Sequence, residues 1–109
     1  MVNPVKRPAN LVSAGFSFLR SHLFPDAVIL GMPVTVSVEI TNHCNLRCPE
    51  CFSGSGRMTR SRGYMDISLF EKIIGELKPY LCAMSLYFQG ESMLHPDFKL
   101  FLEKSRGIS

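Results

Sequence analysis

A group of three cysteines, Cys44, Cys48 and Cys51, falls within eight residues of this chain. Their spacing, C-x3-C-x2-C, lets three thiolates converge on one small object, and Pro49 favours a tight loop over a regular helix there. Iron–sulfur clusters are held by thiolates, whereas structural zinc normally takes four protein ligands. Three thiolates on a four-iron cube leave one iron free for an outside ligand. The spacing therefore predicts a cluster that can act on a bound small molecule.

Zinc is the second interpretation of these cysteines, with Cys82 or His43 as a fourth ligand. Free cysteine commonly behaves as a small buried hydrophobe, so Cys82 is predicted to pack in the core. His43 adjoins a ligand and is predicted to point away from the metal. His22 and His95 are predicted to be structural or exposed. The third interpretation is an inert gene remnant that binds no metal.

Composition narrows the class of protein. The chain has 109 residues, of which 46% are hydrophobic and 19% charged, and this balance excludes general disorder. The net charge of +3 is dispersed, so no nucleic-acid partner is expected. The arginines at 57, 60 and 62 are predicted to lie in a solvated loop. Clustered cysteines and the lack of an apolar run of about 20 residues predict a cytoplasmic protein without a membrane span.

The elements that must position the cysteines begin with a helix and a strand. Residues 11–23 place apolar side chains on one side at helical spacing, with Asn10 as the predicted N-cap and the apolar face packed against the domain. Pro and Gly residues then mark a connector. Residues 34–40 alternate β-branched and polar side chains, which predicts a strand that ends just before the cysteine loop.

A second helix follows a long loop over residues 53–63. Ser68 and Glu71 form a capping-box pattern at its predicted start, and Pro79 closes it. The apolar side chains that follow Ser68 share one arc of this helix.

A second apolar run over residues 83–88 predicts another strand, and a last helix is predicted from about Asp97 to a stop at Gly107. Strands that alternate with helices indicate parallel pairing through right-handed crossovers. The fold class is therefore α/β, with two parallel strands, crossover helices and an additional N-terminal helix. The loops after both strands are expected to emerge on the same side of the sheet.

A family resemblance is carried by two motifs. Residues 39–51, Glu-Ile-Thr-Asn-His-Cys-Asn-Leu-Arg-Cys-Pro-Glu-Cys, resemble the cluster-binding signature of the radical S-adenosylmethionine (SAM) superfamily. Gln89-Gly90-Glu91 resembles the family's Gly-Gly-Glu segment after the second strand, which contacts the methionine amino group of SAM. Gln89 replaces the first glycine, and Glu50 stands where the family often has an aromatic residue. Together the matches span about residues 34–107.

The resemblance implies an enzyme with two cofactors. A 4Fe-4S cluster would be held by Cys44, Cys48 and Cys51, and SAM would be contacted by residues 89–91. Reductive cleavage of SAM would yield a 5′-deoxyadenosyl radical that takes a hydrogen atom from substrate, and a low-potential electron donor would supply the electron. No side chain is assigned a catalytic role. The Cys-Pro-Glu-Cys loop with residues 53–56 is also similar to members that carry an additional C-terminal cluster domain and modify peptides or proteins.

The resemblance also implies a domain organisation. Residues 1–33 are predicted to form the N-terminal amphipathic helix and connector, and residues 34–109 the N-terminal part of a radical SAM core domain. Such cores resemble full or partial TIM-type barrels, and a full barrel has eight strands. The two strands predicted here would be only the start of a partial (β/α) barrel. The expectation is a truncated or fragmentary chain that does not turn over substrate alone.

Overall fold

The elements of the chain alternate between helices and strands along a computed structural model that describes residues 5–108. Residues 1–4 of the predicted segment 1–33 and residue 109 of the predicted segment 34–109 lie outside the described residues. The elements are a long helix α1 (Lys6–Leu23), strand β1 (Thr35–Ser37), helix α2 (Ile67–Leu77), strand β2 (Ala83–Ser85), a 3₁₀ turn (Ser92–Leu94) and helix α3 (Phe98–Ser105).

Strands β1 and β2 pair in parallel, with Val36 opposite Met84. The pairing continues past β1, because the backbone N–H of Val38 donates to the carbonyl of Ser85 at 2.8 Å. Parallel strands need a long crossover connection, which here contains α2. The predicted α/β fold with two parallel strands is confirmed, although both strands are shorter than the predicted ranges 34–40 and 83–88.

The core lies between the sheet and the helices α2 and α3. Alternate residues of the predicted first strand turn inward, so that Val38 and Ile40 are buried while Thr35 and Ser37 are exposed. The core cluster consists of Val38, Ile40, Phe70, Ile74 and Phe101. The rings of Phe70 and Phe101 lie 4.8 Å apart between centroids, which joins α2 to α3. Because the two strands are parallel, the loops that follow them lie at the same end of the sheet.

Helix α2 starts at a different cap from the one predicted. Asp66 is the N-cap, and its carboxylate accepts a hydrogen bond from the backbone N–H of Ser68 at 2.7 Å. Hydrogen bonds from the Ser68 hydroxyl, and then from its backbone N–H, lower the pKa of the Asp66 carboxyl. The predicted capping box of Ser68 and Glu71 is therefore wrong, because Ser68 already lies inside the helix. The predicted stop at Pro79 is confirmed, since α2 ends at Leu77.

Helix α1 begins five residues earlier than the predicted range 11–23, at Lys6. Pro8 fits in the first turn, where its missing N–H would have no helical partner. Asn10 therefore lies inside the helix, and its prediction as the N-cap is wrong. Its buried side chain instead binds the backbone of Met32: Oδ1 accepts from the N–H at 2.7 Å, and Nδ2 donates to the carbonyl at 3.0 Å. This amide fastens α1 to the connector.

The apolar face of α1 is exposed, so its predicted packing against the domain is wrong. Val12, Phe18 and Leu23 are 73%, 72% and 67% exposed. The side that meets the connector carries polar groups, such as the Ser17 hydroxyl, which accepts a hydrogen bond from the Leu30 N–H at 2.8 Å. Within residues 5–108, none of the helices has the length and apolar character needed to span a membrane.

Helix α3 agrees with its prediction at both ends. It starts after Asp97 and is followed by Gly107, whose φ of 82° lies in the left-handed region that favours glycine. Lys104 of α3 forms an ion pair with Glu71 of α2 at 2.5 Å. Both groups are largely exposed, so this pair contributes little beyond the packing of Phe101.

Candidate functional site

The cysteine loop follows β1 and has no helix or strand of its own. Cys44 and Cys51 are half-buried, Cys48 is exposed, and none of them forms a disulfide. Two backbone hydrogen bonds fold the loop, from Cys51 N to Cys48 O at 3.2 Å and from Ser55 N to Cys51 O at 2.8 Å. Across residues 5–108, no three His, Cys, Asp or Glu side chains lie close enough together to hold a metal ion. The convergence of the three sulfurs stays a prediction.

Cys51 has the surroundings of a thiolate. Hydrogen bonds from the backbone N–H of Gly54, and then from that of Ser53, lower the pKa of its thiol. The buried Ser53 hydroxyl has no hydrogen-bond partner of normal geometry among residues 5–108, so we assign the effect to the two backbone groups. Gly54 packs so closely that an added Cβ would lie 2.6 Å from the Cys48 nitrogen. This tightly folded set of free thiols fits a group bound through thiolates.

The second motif, residues 89–91, lies directly against the cysteine loop. The Glu91 N–H donates to the His43 carbonyl at 2.8 Å, and the Cys51 sulfur lies 3.7 Å from the Gln89 carbonyl oxygen. Gly90 is pressed onto the chain after β1, because a Cβ there would come within 2.0 Å of the Thr41 oxygen. The two motifs are therefore adjacent, as expected for loops that follow neighbouring parallel strands.

Glu91 also has a structural role. Its side chain accepts a hydrogen bond from the Met93 N–H at 3.1 Å and caps the 3₁₀ turn that begins at Ser92. This cap holds the half-buried carboxylate at a defined place beside Gly90. A cationic group of a ligand that approached Gly90 would therefore meet a fixed negative charge.

Arg60 lies in an exposed loop, as predicted, but its side chain, which is 53% exposed, also contacts the site. Its Nη2 lies 2.7 and 2.6 Å from the two carboxylate oxygens of Glu39 and 3.3 Å from Oε1 of Gln89. Arg57 is likewise engaged, since its Nη2 donates to the Pro49 carbonyl at 3.0 Å. The exposed Arg62 agrees with the prediction. Folding brings Arg60 to partners 21 and 29 residues away in the sequence, which spacing alone cannot indicate.

Asn42 anchors the loop that carries Arg60, a role that no sequence pattern indicated. The side chain is buried; its Oδ1 accepts from the Gly63 N–H at 2.8 Å and its Nδ2 donates to the Ser61 carbonyl at 2.8 Å. The Thr41 hydroxyl adds a hydrogen bond to the Gly63 carbonyl at 2.9 Å. The end of β1 therefore holds residues 58–63 beside the cysteine loop.

Replacing Asn42 with alanine is expected to lower the free energy of unfolding by about 2 kcal/mol, because it leaves backbone groups of the anchored loop without partners. Urea denaturation measures this loss. Faster trypsin cleavage at Arg60 should accompany it, since the loop would open more often. The exposed Asn45 is the matched control, and Asn45→Ala should change stability by less than about 0.5 kcal/mol. Equal stability of the two variants would contradict the anchoring role.

The histidines have packing roles in this structure. The ring of His43 stacks on Tyr64 with 4.5 Å between centroids. His95 is buried; its Nδ1 accepts from the Asp97 N–H at 3.0 Å, so Nε2 carries the proton and donates to the Met65 carbonyl at 3.1 Å. The structural role predicted for His95 agrees with these contacts.

Cys82 lies at the opposite end of the sheet from the cysteine loop. It is half-buried, and its N–H donates to the Val34 carbonyl at 2.7 Å, before β1 begins. An extended chain from residue 34 to residue 40 spans about 20 Å, and the cysteine loop starts beyond that point. A zinc site that joins Cys82 to the other three cysteines does not fit this arrangement.

Comparison with known proteins extends this picture. No protein-family model matches the chain. The chain is 38% identical over 76 residues to the tungsten-containing aldehyde ferredoxin oxidoreductase cofactor-modifying protein of Pyrococcus furiosus, a match that covers 66% of this chain and 21% of that protein. The crystal structure of BtrN in complex with AdoMet and 2-DOIA matches with a TM-score of 0.59 and 24% identity, over 71% of this chain and 32% of BtrN.

The chain shares the fold of BtrN. Its two parallel strands and their helices therefore form the start of a partial barrel, as predicted. The chain spans about a fifth of the length of the Pyrococcus furiosus protein and about a third of BtrN, at 21% and 32%.

Proposed function

We propose that this chain forms part of a radical SAM enzyme, with a 4Fe-4S cluster held by Cys44, Cys48 and Cys51 and SAM bound beside residues 89–91. The observation that carries the proposal is the direct contact between the two motifs, from Glu91 N to His43 O at 2.8 Å and from Cys51 to Gln89 O at 3.7 Å. A group held by these cysteines would lie beside the turn at Gly90, where SAM is proposed to bind.

Two further observations support this function. BtrN, which shares the fold, was solved in complex with AdoMet. The donor set is also suitable, because all three loop cysteines are free and the backbone around Cys51 favours its thiolate. Neither observation depends on the spacing of the cysteines, so both add to the sequence resemblance.

The residues of this chain would bind and orient the two cofactors. Gly90 lets the backbone of the turn approach a ligand, because it has no side chain. The fixed carboxylate of Glu91 would pair with the amino group of SAM. When both cofactors are bound, reductive cleavage of SAM supplies a 5′-deoxyadenosyl radical that removes a hydrogen atom from substrate.

The wider biochemistry belongs to the same proposal. We assign residues 34–109 to the core domain and residues 1–33 to an N-terminal helix and connector. A low-potential electron donor is required, because the cluster must be reduced before SAM is cleaved. The peptide or protein substrate predicted from the Cys-Pro-Glu-Cys loop stays a prediction.

Anaerobic reconstitution of the full chain with iron and sulfide tests this function. We expect about four irons per chain, and an electron paramagnetic resonance spectrum of the reduced cluster that changes when SAM is added. A colourless protein with one zinc would support the zinc interpretation instead. A chain that binds neither metal nor SAM would support the inert remnant, and either result would reject the proposal.

A further inference from the structure

We propose that Arg60 is a positioning residue for the SAM-binding turn, and that it acts by holding the side chain of Gln89. The inference rests on the proposed function, because it concerns how the turn at residues 89–91 is kept in place for SAM. Its basis is the geometry of one guanidinium, which contacts the Glu39 carboxylate and the Gln89 amide oxygen at the same time.

Gln89 is in contact through both its backbone and its side chain. Its backbone carbonyl lies 3.7 Å from the Cys51 sulfur, and the next residue, Gly90, touches the chain at Thr41. The side chain oxygen of Gln89 lies 3.3 Å from Nη2 of Arg60. The backbone of the turn is thus held against the chain after β1 by Gly90 and by the Glu91 N–H, and the side chain of Gln89 is held by Arg60.

Arg60 can act as a fixed point because it is itself held at two places. The Glu39 side chain is 16% exposed and pairs with Arg60 at 2.6 Å, so the guanidinium is bound next to β1. Asn42 anchors the backbone on the far side of Arg60 through Ser61 and Gly63. Arg60 therefore transmits the position of β1 to the turn that follows β2.

A purely structural ion pair would affect the stability of the chain and not its affinity for SAM. The Arg60 side chain is 53% exposed, and exposed pairs contribute little to stability. Loss of Arg60 should therefore lower the melting temperature only slightly, through the Glu39 carboxylate that loses its partner, and should leave the iron content of the reconstituted chain unchanged. The positioning role predicts, in addition, weaker binding of SAM.

Titration of SAM into the reconstituted full chain, followed by electron paramagnetic resonance, tests this role. We expect Arg60→Ala to raise the Kd for SAM about fivefold, with Arg60→Lys between Arg60→Ala and the unmodified chain because lysine cannot hold both partners. Arg62→Ala is the control, since it removes the same charge from an exposed position of the same loop. Its Kd should equal that of the unmodified chain.

A double-mutant cycle tests whether Arg60 acts on SAM binding through Gln89. Gln89→Ala removes the amide that Arg60 holds, so Arg60→Ala should have no further effect on the Kd in that background. An unchanged Kd for Arg60→Ala, or equal losses in both backgrounds, would overturn the inference. Those results would leave the proposed function intact if the unmodified chain takes up iron and binds SAM. Failure of the unmodified chain to do so would reject both.

Discussion

Alanine at Cys44, Cys48 or Cys51 is expected to abolish cluster binding, so that each single variant loses nearly all of the iron that the reconstituted chain retains. A cube held by three thiolates from one irregular loop has no protein ligand in reserve. The loop has no helix or strand to hold two remaining sulfurs in place. Iron and sulfide analysis, together with the visible absorption of the cluster, measures this loss.

Cys82→Ala is the matched control, because it removes a thiol from the other end of the sheet. The variant should bind as much iron as the unmodified chain. Circular dichroism of all four variants would establish that they fold alike. Loss of iron from Cys82→Ala would contradict the assignment, as would full retention of iron by any one of the three loop variants.

The second large effect is expected at Gly90. An added Cβ would lie 2.0 Å from the Thr41 oxygen and 2.7 Å from the Asn42 Cα, and both are backbone atoms that cannot rotate away. Gly90→Ala should therefore force the two motifs apart and break the hydrogen bond between Glu91 and His43. We expect the free energy of unfolding to fall by about 3 kcal/mol. SAM should no longer change the spectrum of the reduced cluster.

Gly75→Ala makes the same chemical change, but it should raise the free energy of unfolding. Gly75 lies inside helix α2, and an added Cβ would meet no atom within 4 Å. Alanine there should stabilise the chain by about 0.5 to 1 kcal/mol, because it favours the helix more than glycine does. Urea denaturation of both variants gives the comparison. A Gly90→Ala variant as stable as Gly75→Ala would refute the close approach of the two motifs.

Local sequence patterns predicted the elements of the fold but not the N-caps of α1 and α2. The alternation over residues 34–40 identified the inward-facing Val38 and Ile40, because a strand has a period of two residues. Asn10 and Ser68 were both predicted at helix starts, and both lie inside helices. Cap preference names several candidates for each helix, and Asn10 is instead engaged by Met32 across 22 residues of sequence.

Some features of the candidate site could also be predicted from the sequence, and others could not. Cysteine spacing is a local property, and parallel pairing brings residues 89–91 to the same end of the sheet, so both motifs could be predicted. The roles of Arg60 and Asn42 depend on contacts between residues 21 positions apart. Such contacts have no periodicity, and an arginine in a polar loop looks the same whether it is solvated or bound to a carboxylate.

The polar attachment of α1 has a consequence for how the molecule opens. The helix is held by polar and charged groups, among them the Asn10 amide, the Ser17 hydroxyl and the Arg7 guanidinium, which donates to the Gly107 carbonyl, while its large apolar side chains already face solvent. Detaching it would expose little new apolar surface, and water would replace the lost hydrogen bonds at small net cost. Helix α1 therefore unfolds as a cooperative unit separate from the aromatic core. Its amide hydrogens can exchange with solvent while Phe70 and Phe101 stay packed.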